Sequence, residues 1–152
     1  MTIRTADSRE AGEIVRVINA AFNPAEAFFV DGDRIDLEQV LHYFEKGVFL
    51  VAGDMAGCVY VELRGEHAYF GLLSVDPARQ KGGVGRELIA AAEEYAREHG
   101  CAVMDIRIVN LRAELPAFYG RLGYAEAGTE EFTPGSPTKL PCHFVKMQKA
   151  LA

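Results

Sequence analysis

Apolar residues change their spacing along the chain, and each change predicts a different secondary-structure element. From Ile14 to Phe22 they recur at intervals of three and four residues, which predicts one face of a helix that stops near Pro24. Asp36 can cap a second helix with the same spacing, and residues 2–6 ahead of both helices look like a short strand. The N-terminal part is therefore predicted to be a strand followed by two helices.

From Gly47 onward the apolar runs become short and are separated by turn residues, which is typical of a β-meander. Three strands are expected there, up to Val75, followed by a helix with an alanine-rich stripe that ends at Gly100. The rest of the chain predicts four further elements: a strand in 101–109, a helix near Pro116 closed by Gly123, a strand from Tyr124 to Phe132, and a strand in 142–148.

This order, β-α-α-β-β-β-α-β-α-β-β, predicts an α/β fold with a mixed, α+β type of sheet. All of these elements are assigned to one domain over residues 1–152. The strand-helix-strand part should be parallel and right-handed, whereas the hairpins before it are antiparallel. A length of 152 residues suits one ordinary core, and no internal repeat, linker or low-complexity segment divides the chain.

Composition and charge narrow the classes of function. No run reaches the roughly 18–20 apolar residues that a membrane helix needs, so no membrane partner is expected. The three cysteines have no CxxC spacing, and the N-terminus has no signal-peptide pattern, so we expect a cytoplasmic protein with reduced thiols. A net charge of −6 argues against nucleic-acid binding and is weakly compatible with cationic substrates. The four histidines show no metal-ligand spacing, so no metal is expected.

A glycine-rich segment, LSVDPARQKGGVGREL from Leu73 to Leu88, carries the clearest chemical signal. Its glycines allow positive φ angles and close approach of a ligand, and the free N–H groups of a helix start suit a phosphate. A P-loop is excluded because no Gly-Lys-Ser/Thr is present, and a dinucleotide fingerprint is weak because Leu88 occupies its third glycine position. A plain turn would not need three glycines together with Gln80 and Lys81.

The segment VDPARQKGGVGREL resembles the acetyl-CoA signature of the GNAT superfamily of N-acetyltransferases. Gln80, Gly83 and Gly85 occupy the positions of its Arg/Gln-x-x-Gly-x-Gly/Ala core, with Gln where Arg is commoner. A second block, from Asn110 to Tyr124, is similar to the family's later motif of an Asn after strand 5, a Tyr in a helix and Leu-Gly-Tyr/Phe. The resemblance covers essentially the whole chain. It implies a central mixed sheet that is splayed between strands 4 and 5, with helices on both faces.

The resemblance also implies acetyl-CoA as co-substrate. The CoA pyrophosphate would be held by the backbone N–H groups of a continuous run: Gln80, Lys81, Gly82, Gly83, Val84, Gly85 and Arg86. Leu73, Ser74 and Val75 would offer backbone groups to the pantetheine amides, and Asn110 would contact this arm from strand 5. Tyr119 would point its hydroxyl at the CoA sulfur, which makes it the candidate general acid for the leaving thiolate.

The general base has several candidates, because the attacking amine must first lose a proton. Glu62 on the middle meander strand is the first choice, acting directly or through a water. His143 in the last strand could face the acceptor, and histidine suits the required pKa. His67 and Tyr69 near the start of strand 4 are alternatives.

The acceptor is expected opposite CoA, bounded by residues 23–35 and by the proline-rich loop of residues 133–141. Asp31 and Asp33 could pair with an amine, and Phe28 and Phe29 could flank it, although these aromatic residues could equally anchor an irregular connection in the core.

The sequence therefore predicts an N-acetyltransferase that moves an acetyl group from acetyl-CoA to a primary amine, that of a small molecule, by direct attack in a ternary complex. A protein or peptide acceptor would instead need an open groove in place of a closed pocket. An acyl-CoA sensor would bind the cofactor without turnover. The predicted partner is the small-molecule amine, and a homodimer is left open.

Overall fold

A computed structural model of the protein describes residues 2–30, 32–79, 82–132 and 139–151. The strands are β1 Ile3–Thr5, β2 Val48–Ala52, β3 Gly57–Arg64, β4 His67–Val75, β5 Val103–Val109, β6 Ala125–Glu131 and β7 His143–Ala150. The helices are α1 Ala11–Glu26, α2 Leu37–Lys46, α3 Val84–Glu98 and α4 Leu115–Gly120. Within these residues the strands form one sheet in the order β1-β2-β3-β4-β5-β7-β6. No helix of the described segments is long and apolar enough to cross a membrane.

The sheet is mixed. The first four strands are antiparallel neighbours, and so are β5, β7 and β6 on the other side. Among the strands of the described residues, only β4 and β5, which flank α3 in the chain, pair in parallel. This arrangement confirms the predicted element order and the mixed α/β fold class.

The core has two layers because side chains alternate across each strand. On one face α1 and α2 pack on the sheet, and the buried residues Ile14 and Tyr60 belong to this layer. On the other face α3 and α4 cover a second layer that contains Leu88 and Met104. Cys58 and Tyr60 of β3 face the first layer, whereas Val59 and Val61 face the second, as the alternation predicts.

Helix α1 is longer than its sequence suggests. It continues through Pro24 to Glu26, and the Ala27 N–H still donates to the Asn23 carbonyl at 2.9 Å. Proline removes one donor from this last turn but does not prevent the residues after it from bonding. The helix therefore ends two residues beyond the predicted stop near Pro24, and this extension places Glu26 in the wall of a cavity described below.

The parallel pairing of β4 with β5 is short. It runs only from His67 opposite Val103 to Tyr69 opposite Asp105, and beyond Tyr69 the two strands are no longer paired. On its other edge β4 contains an irregularity opposite β3, where Leu72 has a positive φ of 55°. The strands therefore part toward their C-terminal ends, which confirms the predicted splay and opens a gap through the sheet.

Candidate active site

The glycine turn before α3 leads directly to the parted end of β4. Gly82 and Gly83 have φ angles of 97° and 75°, a conformation that other residues rarely adopt. Gly83 is the N-cap of α3 and provides no side-chain cap. The N–H groups of the first helical turn, from Val84 to Arg86, therefore have no acceptor within the helix or from a capping side chain, an arrangement that favours an anion. Gln80 and Lys81, also predicted to contribute, lie outside the described residues.

A cavity of about 450 Å³ lies against this turn, and we call it the loop cavity. Its lining combines the turn with β4 and two helices: Ala21, Phe22, Leu73, Val75, Gly83, Val84, Gly85, Arg86, Arg112 and Phe118. A Cβ on Gly85 would stand 3.7 Å from Val75, at the wall of this cavity. Six of the twelve residues predicted for CoA thus line this cavity. Ser74 is buried and its hydroxyl donates to the Leu72 carbonyl, so only its backbone is left for a ligand.

A second cavity, of about 200 Å³, occupies the gap between β4 and β5, and we call it the gap cavity. Phe22, Leu73, Arg112 and Phe118 line both cavities, so the two adjoin. Together they define a site for a long ligand with an anionic end at the glycine turn and its other end inside the sheet.

Tyr119 of α4 lines the gap cavity and is 8% exposed. Its ring packs against Phe70, Phe118 and Tyr124. Burial raises the pKa of its hydroxyl to about 12, although the positive charge of Arg112 acts in the opposite direction. No hydrogen bond joins this hydroxyl to any residue within the described segments. Tyr119 is therefore protonated near neutral pH and can donate to a ligand in the gap.

Asn110, predicted to contact the CoA arm, instead bonds to the backbone. Its side-chain oxygen accepts the His143 N–H at 2.8 Å, and its own N–H donates to the His143 carbonyl at 2.9 Å. This pair joins the end of β5 to the start of β7. Neither residue lines the loop cavity or the gap cavity, and His143 is exposed.

Glu62 does not line the gap cavity, although Tyr69, its partner across the β3–β4 pair, does. The Tyr60 hydroxyl donates to one carboxylate oxygen at 2.6 Å, and Arg64 donates to the other. Partial burial raises the pKa of Glu62, but these two hydrogen bonds outweigh it, so the net pKa is below the ordinary value. Of the alternatives, His67 contacts Asp105 at 2.7 Å, whereas Tyr69 lines the gap cavity.

The predicted acceptor segment divides between core and surface. Phe29 is fully buried with Val109 and Phe144, which corrects its assignment to a ligand and favours the other reading, that of a core anchor. Phe28 remains on the surface and is 52% exposed. Asp33 accepts from the Asn23 amide at 2.8 Å and lines a third cavity of about 280 Å³, the side cavity.

Two parts of the predicted acceptor boundary are not covered by the structure. Asp31 lies outside the described residues, and so do residues 133–138 of the proline-rich loop. Lys139, the first described residue after them, lines the side cavity and donates through its backbone N–H to the Phe29 carbonyl at 2.7 Å. The end of this loop therefore does reach the acceptor segment.

Glu26, at the end of the α1 extension, was not among the sequence candidates. It is 6% exposed and lines both the gap cavity and the side cavity. Burial raises the pKa of its carboxyl above the ordinary value, although the charges of Arg34 and Arg112 counteract this effect. Arg112 approaches it at 3.3 Å. No sequence signal marks Glu26, because its burial depends on the helix continuing past Pro24.

Two arginines were missed in the same way. Arg107 of β5 and Arg112 after it both line the gap cavity, yet in the sequence they look like ordinary solvent-facing residues. Because side chains alternate along β5, the sequence could have placed Arg107 on the sheet face that α1 covers. Only the separation of β4 from β5 turns this part of the face into the wall of a cavity. No cluster of His, Cys, Asp or Glu that could hold a metal occurs in the part of the chain that the structure describes.

Comparisons with known proteins agree with this fold. The family described as "Acetyltransferase (GNAT) domain" matches residues 45–126, which is more than half of the chain. The chain therefore belongs to the GNAT acetyltransferase family, and the predicted family is confirmed.

Among curated proteins, blasticidin-S acetyltransferase from Streptomyces morookaense is 33% identical over 90 residues. The match covers 58% of this chain and 65% of that protein. Among solved structures, ribosomal-protein-alanine N-acetyltransferase from Brucella melitensis has a TM-score of 0.77 and 23% identity, and the match covers 99% of each chain. The Salmonella typhimurium protein yncA, solved with its cofactor acetyl-CoA, has a TM-score of 0.72 and 22% identity, with 100% of this chain and 94% of that chain covered. The two structural likenesses show the fold.

Proposed function

We propose that this protein is an N-acetyltransferase that moves an acetyl group from acetyl-CoA to the primary amine of a small molecule, by direct attack in a ternary complex. The observation that carries this proposal is the pair of adjoining cavities, one at the glycine turn and one in the gap between β4 and β5, with Tyr119 in the wall of the second. Acetyl-CoA, when bound, supplies an activated thioester.

The donor would lie along the path that these residues define. The N–H groups from Val84 to Arg86 suit the pyrophosphate because they stand at a helix start, and Gly85 leaves that wall without a side chain. Leu73 and Val75 line the loop cavity along β4, where the backbone can meet the pantetheine amides. The proposed roles of Gln80, Lys81, Gly82 and Ser74 in CoA binding are contacts through the backbone.

Tyr119 is the proposed general acid. Its raised pKa keeps the proton on the hydroxyl until a stronger base, such as a leaving thiolate, is formed next to it. Its buried surroundings exclude water that would compete for that proton.

Glu26 is the carboxylate that we propose to meet the attacking amine. It faces the gap cavity, and burial favours its protonated form, which makes its carboxylate a better base than an exposed one. Glu62 and His143 remain candidates from the sequence, but neither lines the gap cavity, so either would have to act through a water. The two hydrogen bonds on Glu62 and its lowered pKa further reduce its basicity.

A small acceptor is favoured by the size of the gap cavity, which is about 200 Å³ and has Phe22 and Glu26 of α1 in its wall. The curated relative is described as acting on blasticidin S, a small molecule. The Brucella relative is described as acting on a ribosomal protein, so a protein acceptor is the competing proposal.

The experiment that tests this function has two arms. Calorimetry should detect acetyl-CoA binding, and a free-thiol assay should detect CoA release with at least one member of a broad panel of primary amines. Binding without thiol release from any small amine or any peptide N-terminus would favour an acyl-CoA sensor. Release with peptides alone would favour the protein acetyltransferase.

A further inference from the structure

Charged residues in the gap cavity do not follow the charge of the whole chain. The chain has a net charge of −6, yet the described lining of the cavity has one carboxylate, Glu26, and three guanidinium groups, Arg34, Arg107 and Arg112. A site for a simple cationic amine would be expected to have the opposite balance, since like charges in a confined space repel. The lining therefore suits a ligand that also carries negative charge.

The charges of Arg112 and Arg34 can be accounted for by contacts within the protein. Arg112 lies 3.3 Å from Glu26 and 3.4 Å from Glu114, so its charge is already balanced inside the protein. The guanidinium of Arg34 lies 5.6 Å from the ring centroid of Phe22, at the junction of the gap and side cavities.

Arg107 is held differently. Its guanidinium carbon lies 4.4 Å from the ring centroid of Phe144 and 5.7 Å from that of Tyr69, so aromatic rings fix its plane. Its carboxylate contact is Glu130 at 3.6 Å, which is too long for a strong hydrogen bond and involves a side chain that is 47% exposed. Tyr69 also shares a side-chain hydrogen bond with Arg107. The Arg107 guanidinium is therefore held by two rings and one hydroxyl, and its carboxylate contact is weak, so it keeps N–H donors that can bind an anionic group bidentately.

From this arrangement we propose that the acceptor is an amine that also carries a carboxylate or a similar anionic group, as amino acids do, and that Arg107 binds that group. The inference rests on the proposed acetyltransferase function. Glu26 and Arg107 come from different elements of the same cavity, α1 and β5, so an ammonium and an anion of one small molecule can be recognised separately. Burial lowers the pKa of Arg107, but Tyr69 and Glu130 raise it above the ordinary value, so the guanidinium stays charged.

The test uses matched pairs of amines. The probes are the standard L-amino acids that have a primary amine, their α-carboxamides, and the pair 4-aminobutyrate and butylamine, with CoA release as the readout. For at least one pair, kcat/KM should be about 10- to 100-fold higher for the carboxylate than for its neutral partner, as expected for a charge-assisted hydrogen bond.

Arg107→Met should bring that ratio close to one by lowering kcat/KM for the carboxylate, with little change for the neutral amine. Arg107→Lys should keep part of the ratio, because it keeps the charge and loses the planar fork. Lys146→Met is the matched control: Lys146 lies directly opposite Arg107 on β7 and carries the same charge, but it does not line the gap cavity. It should keep the wild-type ratio.

Three results would overturn the proposal. The first is a wild-type enzyme that releases CoA equally well with the carboxylate and the neutral member of every pair. The second is an Arg107→Met variant that loses activity equally on both members, which would indicate a structural role. The third is a Lys146→Met variant whose ratio of kcat/KM values falls as far as that of Arg107→Met, which would indicate long-range electrostatic attraction by positive charges in general. Failure of every amine to release CoA would instead contradict the proposed acetyltransferase function.

Discussion

The loop cavity and the proposed acceptor side of the gap cavity, the wall that contains Glu26 and Arg107, are built in contrasting ways. The loop cavity is formed largely by backbone, glycine and apolar side chains from β4 and the start of α3, which are close in sequence. The acceptor side is formed by charged side chains from α1 and β5, which are distant in sequence and meet only because the sheet parts there. A backbone site suits a ligand that a whole family shares, whereas a site of side chains can change its specificity by substitution.

The largest effect should come from placing a negative charge in the loop cavity. Gly83→Asp should weaken acetyl-CoA binding by more than about 100-fold, because a carboxylate would repel the pyrophosphate at close range. Calorimetry measures this directly. Gly83→Asn is the matched control, since Asn tolerates the positive φ of 75° and has the same shape without the charge. If the two variants bound acetyl-CoA equally, the loop would not be the pyrophosphate site.

Tyr119 lines the gap cavity but not the loop cavity, and Tyr119→Phe should separate chemistry from binding. We expect kcat to fall by about 100-fold with acetyl-CoA affinity nearly unchanged, because only the proton donor is lost. Steady-state kinetics and calorimetry give the two values. The same change at the neighbouring Tyr124, whose ring centroid is 5.8 Å away but which does not line the gap, should leave kcat intact. An unchanged kcat in Tyr119→Phe would remove it from the role of acid.

On the acceptor side, Glu26→Gln should lower kcat/KM for the amine by about 10- to 100-fold and leave acetyl-CoA binding unchanged. Because burial raises the pKa of Glu26 above 4.5, the carboxylate fraction, and with it kcat/KM, should increase as pH rises through that higher pKa. The Glu26→Gln variant should no longer show this increase of kcat/KM with pH. Glu62→Gln provides the comparison. If Glu62→Gln abolished the increase and Glu26→Gln retained it, the general base would be Glu62 on β3.

The smallest expected effect concerns stability on the α3 face. The Tyr124 hydroxyl donates to Glu93 at 2.7 Å, and Lys149 donates to the same carboxylate at 2.9 Å. Tyr124→Phe should lower the free energy of unfolding by about 1–3 kcal/mol, because a buried charged acceptor loses a donor. Urea unfolding tests this, with Tyr95→Phe on α3 as the control that should cost little. A cost equal to that of the control would mean that Lys149 alone satisfies Glu93.

Most of the fold, and the glycine turn that lines the loop cavity, could be predicted from the sequence. Period-two and period-3.6 patterns are local properties, and so is a glycine turn at a helix start, since its N–H groups belong to consecutive residues. Tyr119 was predicted correctly to lie in a helix, and the structure places it in the wall of the gap. Its role as acid remains a prediction.

The acceptor side depended on tertiary structure. The Glu26 carboxylate is buried because α1 continues to Glu26. The sequence instead predicts a helix end at Pro24, because proline disfavours the interior of a helix. Phe29 packs in the core with residues that lie far along the chain. Asn110 has its partner in the backbone of β7, which no motif can reveal.

The amino-acid sequence by itself determined the order of the elements, the glycine turn and the family to which the chain belongs. Only the tertiary structure decided which charges face the gap between β4 and β5. The physical reason is that a backbone anion site needs only neighbouring residues in a fixed conformation. The charge balance of a cavity depends instead on which distant side chains the packing buries together, as it does with Glu26 and Arg107.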